Sequence, residues 1–209
     1  GVGGGGRVEG GKAGAQTKLG AHNDDTRCDV GEKEALKTGR DPKVAGRDNV
    51  YAAWDDFSAD TTGTAFAGLP VATSSDHGAS WSLHYADKIV SDPNSCSFGQ
   101  YIGAQPLVDP SNGTLSVAAE KIAVDDPLCT FAVQPTFSEV IFTSTDGGTT
   151  FGPAVTIASI TPATPTGALQ LGPGQFVRTT EFPTLALRGQ RRGAARTDGG
   201  AATGDAGPA

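Results

Sequence analysis

The chain has 209 residues, a formal net charge of −7 and a pI near 4.8, and its charged residues are spread along its length. This diffuse acidity argues against nucleic acid or an anionic membrane as a partner, because both call for clustered Lys and Arg. No apolar run approaches the ~20 residues that a membrane helix needs. No initiator Met or signal segment is visible, so we expect a mature form or a piece of a longer protein.

Aromatic residues are confined to the middle of the chain, between positions 51 and 182. Residues 1–24 hold nine Gly and no aromatic residue, and residues 188–209 hold six Gly and six Ala. Neither end can bury enough apolar surface to offset the cost of ordering its backbone. We therefore predict disorder over 1–40 and over the Gly/Ala-rich tail, with the folded region at 41–187.

Strand patterns begin at residue 50. Residues 50–54 alternate with period two, which is typical of a strand, and 55–63 form a polar loop. Residues 70–74 and 81–86 are the next predicted strands, and the turn cluster at 91–95 follows them.

A second unit repeats this order. Its predicted strands are 105–108, 115–119, 139–143 and 151–157, with a turn at 109–113 and a long connection at 120–137. A third unit opens at 180–187, and the strand pattern is absent after Leu187.

Two octapeptides of one pattern stand at matching places in the two units. One reads Ser-Ser-Asp-His-Gly-Ala-Ser-Trp at 74–81 and the other Ser-Thr-Asp-Gly-Gly-Thr-Thr-Phe at 144–151. Asp accepts hydrogen bonds from backbone N–H groups just after it, and Gly supplies a positive φ, so both predict a tight turn between strands with the final aromatic buried. The pattern residues are Ser74, Asp76, Gly78, Ser80 and Trp81 in the first and Ser144, Asp146, Gly148, Thr150 and Phe151 in the second.

The two octapeptides resemble the Asp-box, or bacterial neuraminidase repeat, of sialidase-like β-propellers. The resemblance covers residues 41–187 and implies an all-β fold, a β-propeller of the sialidase type. In that family the octapeptide forms the turn between the third and fourth strands of a blade, away from the central cavity. Residues 32–36, Glu-Lys-Glu-Ala-Leu, are similar to a strand that precedes the family's first well-formed blade, with Ala where an aromatic is expected.

Two recognisable blades and the start of a third are too few for a closed propeller, which has four to eight. We therefore expect a segment of a larger propeller, with a truncated or mistranslated end after Leu187.

Sialidase chemistry, as the resemblance implies it, needs an arginine cluster, a Tyr–Glu nucleophile pair and an Asp acid/base. The predicted folded region has only Arg47 and Arg178, the latter in Phe-Val-Arg-Thr at 176–179, a loose relative of the family's arginine signature. Catalytic residues are thus unknown. We expect Arg178 to be a solvated surface residue.

Other candidates also favour a structural interpretation. Tyr51 and Tyr85 lie within predicted strands, where Tyr is usually a packing residue. Glu120 and Glu181 lie at strand ends, without an identifiable partner. We assign a catalytic role to none of these four residues.

Acidic and histidine residues show no metal-site spacing, so we expect no metal and no cofactor. Asp55, Asp56 and Asp60 are expected in a solvated loop. The same holds for Asp125 and Asp126. The histidines, His22, His77 and His84, are scattered.

Three cysteines, Cys28, Cys96 and Cys129, lack the spacing of a zinc site. A disulfide between Cys96 and Cys129 would suit a secreted protein, and free thiols are an equal alternative. Asn112-Gly113-Thr114 fits the glycosylation sequon within a predicted turn.

We therefore expect a segment of an extracellular Asp-box propeller, secreted or at the cell surface, that serves as a non-catalytic scaffold or binding module. A glycan or a cell-surface protein is the expected partner. The alternative is a fragment of an exo-sialidase-like glycoside hydrolase whose catalytic residues lie in missing blades.

Overall fold

The computed structural model describes residues 30–59, 64–92, 94–161, 168–173, 175–178 and 182–187, and its regular elements are all β-strands. The strands are β1 (Val30–Arg40), β2 (Asp48–Ala59), β3 (Ala65–Ser74), β4 (Ser82–Val90), β5 (Phe98–Val108), β6 (Leu115–Val124), β7 (Thr136–Ser144), β8 (Val155–Ile160), β9 (Ala168–Gly172) and β10 (Gln175–Arg178). The predicted all-β class is confirmed.

The first eight strands form two four-stranded antiparallel sheets. Within each sheet, the strands lie side by side in the order in which they follow one another along the chain. The first sheet has the order β1-β2-β3-β4, the second has the order β5-β6-β7-β8, and β9 and β10 form a separate hairpin. Each octapeptide turn therefore joins the third strand of its sheet to the fourth.

Both octapeptide turns lie at the same end of the molecule, because Thr73 Oγ1 in the first sheet donates a hydrogen bond to the Gly147 carbonyl at 3.0 Å. We call this the octapeptide end; it also holds the turns 41–47 and 109–114. The opposite end, the loop end, holds the connections 91–97 and 125–135.

The two sheets pack face to face over an apolar core. Gly39 and Gly99 allow this close approach. A Cβ at Gly39 would lie 2.5 Å from Val108 Cβ, and a Cβ at Gly99 would lie 2.7 Å from Ile89 Cδ1. The core consists of Tyr51, Ala53, Leu69 and Val71 from the first sheet and Tyr101, Ala104, Val108, Leu115, Val117, Ala119, Val140 and Phe142 from the second. Each large side chain buried there stabilises the fold by about 1.5–3 kcal/mol.

A second, smaller cluster lies on the other face of the first sheet. Ala52, Trp54 and Ala72 are buried there, with Trp81 and Leu83 packed against them. The alternation of side chains along β2 therefore supplies both faces, Tyr51 and Ala53 to one and Ala52 and Trp54 to the other.

A buried carboxylate also connects the two sheets. Asp55 in β2 is fully buried, and it accepts hydrogen bonds from the backbone N–H groups of Gly103 at 3.0 Å and Ala104 at 3.2 Å. Lys33 Nζ lies 3.7 Å from the same carboxylate. The carboxylate oxygens of Asp55 thus accept hydrogen bonds from backbone N–H groups at a bulge in β5, where the register shifts between Ile102 and Gln105.

The first strand departs from the sequence prediction, since residues 30–40 form β1 although they fall in the region predicted to be disordered. β1 pairs with β2 from Val30 to Arg40. This pairing provides partners for the backbone of β1, so the segment forms a strand although it contains few apolar residues. Leu36 is 57% exposed there. The rest of the predicted disorder, at 1–29 and 188–209, lies outside the described residues.

Other boundaries also shift. β6 and β7 reach into the predicted 120–137 connection, and β8 begins at Val155 rather than at Phe151. The third unit, predicted to open at 180–187, has no regular secondary structure over its described part, 182–187. Residues 180 and 181 lie outside the described residues.

Candidate functional site

The first octapeptide turn is held by two side chains that hydrogen-bond to each other and to the backbone. Ser74 Oγ donates to Asp76 Oδ1 at 2.8 Å and accepts from the Gly78 N–H at 2.8 Å. Asp76 then accepts from the Ser80 N–H at 2.9 Å and from Ser80 Oγ at 2.5 Å. Gly78 has φ +90°, a value that L side chains rarely adopt.

The second turn repeats these bonds position for position. Ser144 Oγ donates to Asp146 Oδ1 at 2.8 Å and accepts from the Gly148 N–H at 2.9 Å. Asp146 accepts from the Thr150 N–H at 2.9 Å and from Thr150 Oγ1 at 2.8 Å. The Thr149 N–H adds a further bond to Asp146 at 3.1 Å.

These bonds hold both carboxylates in the ionised form. The bonds from the Ser80 hydroxyl and N–H, followed by the Ser74 hydroxyl, lower the pKa of Asp76 to about 2. Burial raises the pKa of Asp146, but the bonds from Thr150 and Ser144 outweigh it and lower that pKa to about 2. Neither carboxyl group is poised to exchange a proton near neutral pH.

The aromatic residues that end the octapeptides are half-buried rather than fully buried. Trp81 Nε1 donates to the Gly78 carbonyl at 3.1 Å, so its ring covers the turn that precedes it. Phe151 packs against the core between the sheets. The hydroxyls of Ser74, Ser80, Ser144 and Thr150 and the carboxylates of Asp76 and Asp146 all bond within these turns, so we assign them a structural role.

The loop end carries a braced apolar loop between β6 and β7. Cys96 and Cys129 form a disulfide with an S–S distance of 2.20 Å, which joins this loop to the β4–β5 connection. Asp126 accepts from the N–H groups of Thr130 at 2.9 Å and Phe131 at 2.7 Å. Leu128 and Phe131 are each 83% exposed on this loop.

A cleft of about 230 Å³ opens between the two sheets at the same end. Its walls are mainly apolar, with Lys121 as a cationic group and Asp92 as an acidic one. The other lining residues are Ile89, Val90, Ser91, Ser97, Phe98, Gly99, Ala123 and Val124. The cleft is smaller than the roughly 300–1,000 Å³ of pockets that enclose a ligand, so it is an open contact surface of mixed apolar and charged character.

Tyr101 lies in the core near this cleft. Its hydroxyl donates to Asp87 Oδ2 at 2.5 Å, and Lys121 Nζ lies 6.0 Å from its ring centroid. Burial, together with the hydrogen bond to Asp87 and its charge, raises the pKa of Tyr101 well above its usual range. The Tyr101 hydroxyl is therefore neutral and positions Asp87.

A broader groove of about 850 Å³ lies at the octapeptide end, lined by residues that include Lys37, Arg40 and Arg47. Two of these cations already have partners, because Arg40 Nη1 donates to the Ser111 carbonyl at 3.0 Å and Arg47 Nε donates to Asp41 at 2.8 Å. This groove is therefore less suited to an anionic ligand than its composition indicates.

The two tyrosines considered from sequence are placed apart. Tyr51 is fully buried and its hydroxyl accepts from Asn49 Nδ2 at 3.1 Å; burial raises the Tyr51 pKa although this bond opposes it. Tyr85 donates to Asp56 Oδ2 at 2.6 Å, and Lys88 Nζ lies 4.1 Å from its ring centroid.

The remaining sequence candidates do not converge on one site. Glu120 is 1% exposed in β6 and pairs in register with Glu139 in β7. Arg178 ends β10, and its side chain lies outside what the structure describes. Glu181, Asp60, His22 and Cys28 are outside the described residues.

The neighbouring acidic residues do not converge on a common metal site. Asp55 and Asp56 are consecutive in β2 and buried, not in a solvated loop as predicted; Asp55 bonds to β5 whereas Asp56 bonds to Tyr85. Asp126 is buried as well, although Asp125 is exposed. In the part of the chain that the structure describes, no three His, Cys, Asp or Glu residues are grouped to hold a metal ion.

No family model matches this chain, and no curated protein matches it.

Proposed function

We propose that this chain is a segment of an extracellular sialidase-like Asp-box β-propeller and that it serves as a non-catalytic scaffold or binding module. The observation that carries the proposal is the repeated turn. Two successive four-stranded sheets place the same Ser–Asp–Gly–(Ser/Thr) hydrogen bonds between their third and fourth strands.

The way in which the sheets pack supports a propeller. In a propeller, successive blades approach one another most closely at their first strands, near the central axis. Here β5, the first strand of the second sheet, contacts β1 and β2 extensively and β4 only slightly. The Asp55 carboxylate and the β5 bulge lie at this closest approach.

The loop end is the binding surface in this proposal. The cleft and the disulfide-braced loop lie there, at the opposite end of the sheets from both octapeptide turns. Phe98 is 48% exposed and Phe131 is 83% exposed, so each offers a ring that could stack on the apolar face of a sugar or on a protein side chain. A glycan or a cell-surface protein is the class of ligand that we propose.

The described residues lack the groups that sialoside hydrolysis needs. The arginine side chains that the structure describes, Arg40 and Arg47, lie at the octapeptide end, and Arg47 pairs with Asp41. Tyr51 is buried in the core, and Tyr85 belongs to the other face of the first sheet. We therefore favour binding over the alternative, a fragment of an exo-sialidase-like glycoside hydrolase.

A pair of assays on the full chain separates the two functions. We expect no release of fluorophore from a fluorogenic sialoside above the buffer rate. Robust turnover would overturn the non-catalytic assignment and favour the hydrolase.

Binding is then tested on an array of glycans and with cell-surface protein extracts. Phe131→Ser should abolish any signal, whereas Val155→Ser, which changes an exposed apolar residue in β8, should leave it unchanged. Equal loss in both variants would contradict the placement of the binding surface at the loop end.

A further inference from the structure

The turn between β5 and β6 is a compact, hydrogen-bonded tip at the octapeptide end. The Asp109 N–H donates to the Thr114 carbonyl at 2.8 Å, and the Gly113 N–H donates to the Asp109 carbonyl at 2.8 Å. Asp109 Oδ1 also accepts from the Ser111 N–H at 2.8 Å. The side chain of Asn112 is exposed at the tip.

We propose that Asn112 is a site of N-linked glycosylation. Asn112-Gly113-Thr114 is the only Asn-x-Ser/Thr sequence in the chain. Asn112 Oδ1 accepts from the Thr114 N–H at 2.8 Å, which forms an Asx-turn. That bond uses the amide oxygen, and in the part of the chain described here Asn112 Nδ2, the atom that would be modified, donates no hydrogen bond.

The surroundings of the turn leave room for a glycan. Gly113 faces the 41–47 turn, where a Cβ would stand 2.7 Å from the Arg40 carbonyl oxygen and 2.9 Å from Pro42 Cα. The neighbouring Asn112 is exposed instead, so a bulky substituent on it would extend into solvent. The sequon is thus presented outward by a turn whose other side rests on the protein.

The disulfide gives an independent reason to expect this modification. Disulfides form and persist in the oxidising compartments through which secreted proteins pass. The Cys96–Cys129 bridge therefore indicates that the chain folds in such a compartment. In eukaryotes the compartment in which disulfides form is the lumen of the endoplasmic reticulum, where proteins are also N-glycosylated.

The chemistry requires a lipid-linked oligosaccharide, a polyprenyl diphosphate sugar, as the donor and a glycosyltransferase as the catalyst. The bond between the anomeric carbon and the diphosphate oxygen breaks, and a bond from that carbon to Asn112 Nδ2 forms. Nδ2 loses one proton, and the lipid diphosphate leaves with the electron pair of the broken bond. No oxidation or reduction takes place.

A glycan on Asn112 would stand at the octapeptide end and leave the cleft at the loop end open. Glycosylation of Asn112 requires only the turn, the sequon and folding in an oxidising compartment, and it is independent of the function proposed for the loop end.

The test uses the full chain, secreted from a eukaryotic host behind a cleavable signal sequence. We expect most secreted chains to carry a glycan on Asn112, identified by mass spectrometry and removed by peptide N-glycosidase. Thr114→Ser should retain the glycan and Thr114→Ala should lose it. Both variants keep the N–H that bonds to Asn112, so the turn is preserved.

Asn112→Gln should also lose the glycan, and the matched control Asn94→Gln should retain it. Chains held inside the cell are analysed alongside the secreted ones, so a poorly folding variant still gives a result. Unmodified Asn112 on disulfide-bonded wild-type chains would overturn the proposal, and so would a glycan that persists in Asn112→Gln.

Discussion

Asp76 and Asp146 each bond to both the N–H and the hydroxyl of the residue four positions further along the chain. Each also accepts from the Ser two positions before it. These contacts are local in sequence, which is why the octapeptides could be interpreted as turns from sequence alone. The side chains act on the backbone, not on a substrate.

Replacement of Asp146 by Ala should lower the free energy of unfolding by about 1–3 kcal/mol, because Asp146 accepts four hydrogen bonds and each one lost costs about 0.5–1.5 kcal/mol or less where the donor can turn to water. Urea unfolding measures this loss. Thr145→Ala is the matched control, because Thr145 is an exposed residue of the same turn, and it should change stability by less than about 0.5 kcal/mol. Equal stability of Asp146→Ala and the wild type would count against the structural role of this turn.

The same two carboxylates predict a dependence of stability on acid. Their pKa of about 2 in the folded chain lies below the ordinary value of 3.8, so ionisation favours the folded state. The stabilisation is complete above pH 3.8 and is lost as the pH falls towards 2. Thermal melting from pH 6 to 2 should show a smaller acid-induced fall for the Asp76→Asn/Asp146→Asn double variant than for the wild type.

Some side-chain contacts of the fold could not be predicted from the sequence. Asp55 was expected in a solvated loop, yet it is buried against the backbone of Gly103 and Ala104, 48 and 49 positions away. No local pattern encodes that pairing, because it depends on how the two sheets pack. Asp126 was missed in a similar way, although its bonds to Thr130 and Phe131 form a local motif that a search for Asp-based turns could find.

At the scale of elements, strands with clean alternation were predicted well and interrupted ones were not. The predicted strands 50–54, 70–74 and 81–86 overlap β2, β3 and β4, and 115–119 matches the start of β6. β2 nevertheless continues to Ala59 through the predicted 55–63 loop, and β3 begins at Ala65, five residues before its predicted start. β5 was predicted only over 105–108, because the register shift between Ile102 and Gln105 breaks the alternation. β1 has an equivalent shift between Glu32 and Ala35 and a polar composition, so it carried little signal.

The disulfide is the element-scale feature that sequence left open. Cysteine spacing alone could not distinguish a bridge from two thiols, whereas the fold brings residues 96 and 129 together at the loop end. The two cysteines lie close together because Phe98, at the start of β5, pairs with Val124, at the end of β6. The connection before β5 and the connection after β6 therefore lie next to each other.

Removal of this disulfide should destabilise the chain by about 2–4 kcal/mol, because the bridge restricts the unfolded chain. Cys129→Ser should show the loss in urea unfolding, and Cys28→Ser is the matched control. A reductant should lower the stability of the wild type to that of Cys129→Ser and leave that variant unchanged. If the reductant has no effect on the wild type, the bridge is absent or does not stabilise the fold.

At the scale of the whole molecule, the two sheets act as a pair joined through one core. Tyr51 and Val71 from the first sheet meet Leu115 and Phe142 from the second. The sequence predicted two repeated units, but it could not show which faces meet, since β2 is apolar on both faces. The proposed propeller depends on this face-to-face packing.

The most direct test of that packing is nuclear Overhauser spectroscopy on the isotope-labelled chain. Three glycines report on the interface between the sheets along its height. The packing predicts cross-peaks from Gly148 Hα to the Val71 methyls, from Gly39 Hα to the Val108 methyls and from Gly99 Hα to the Ile89 methyls. Their absence, while cross-peaks within each sheet are intact, would contradict the stacking of the two sheets as neighbouring blades.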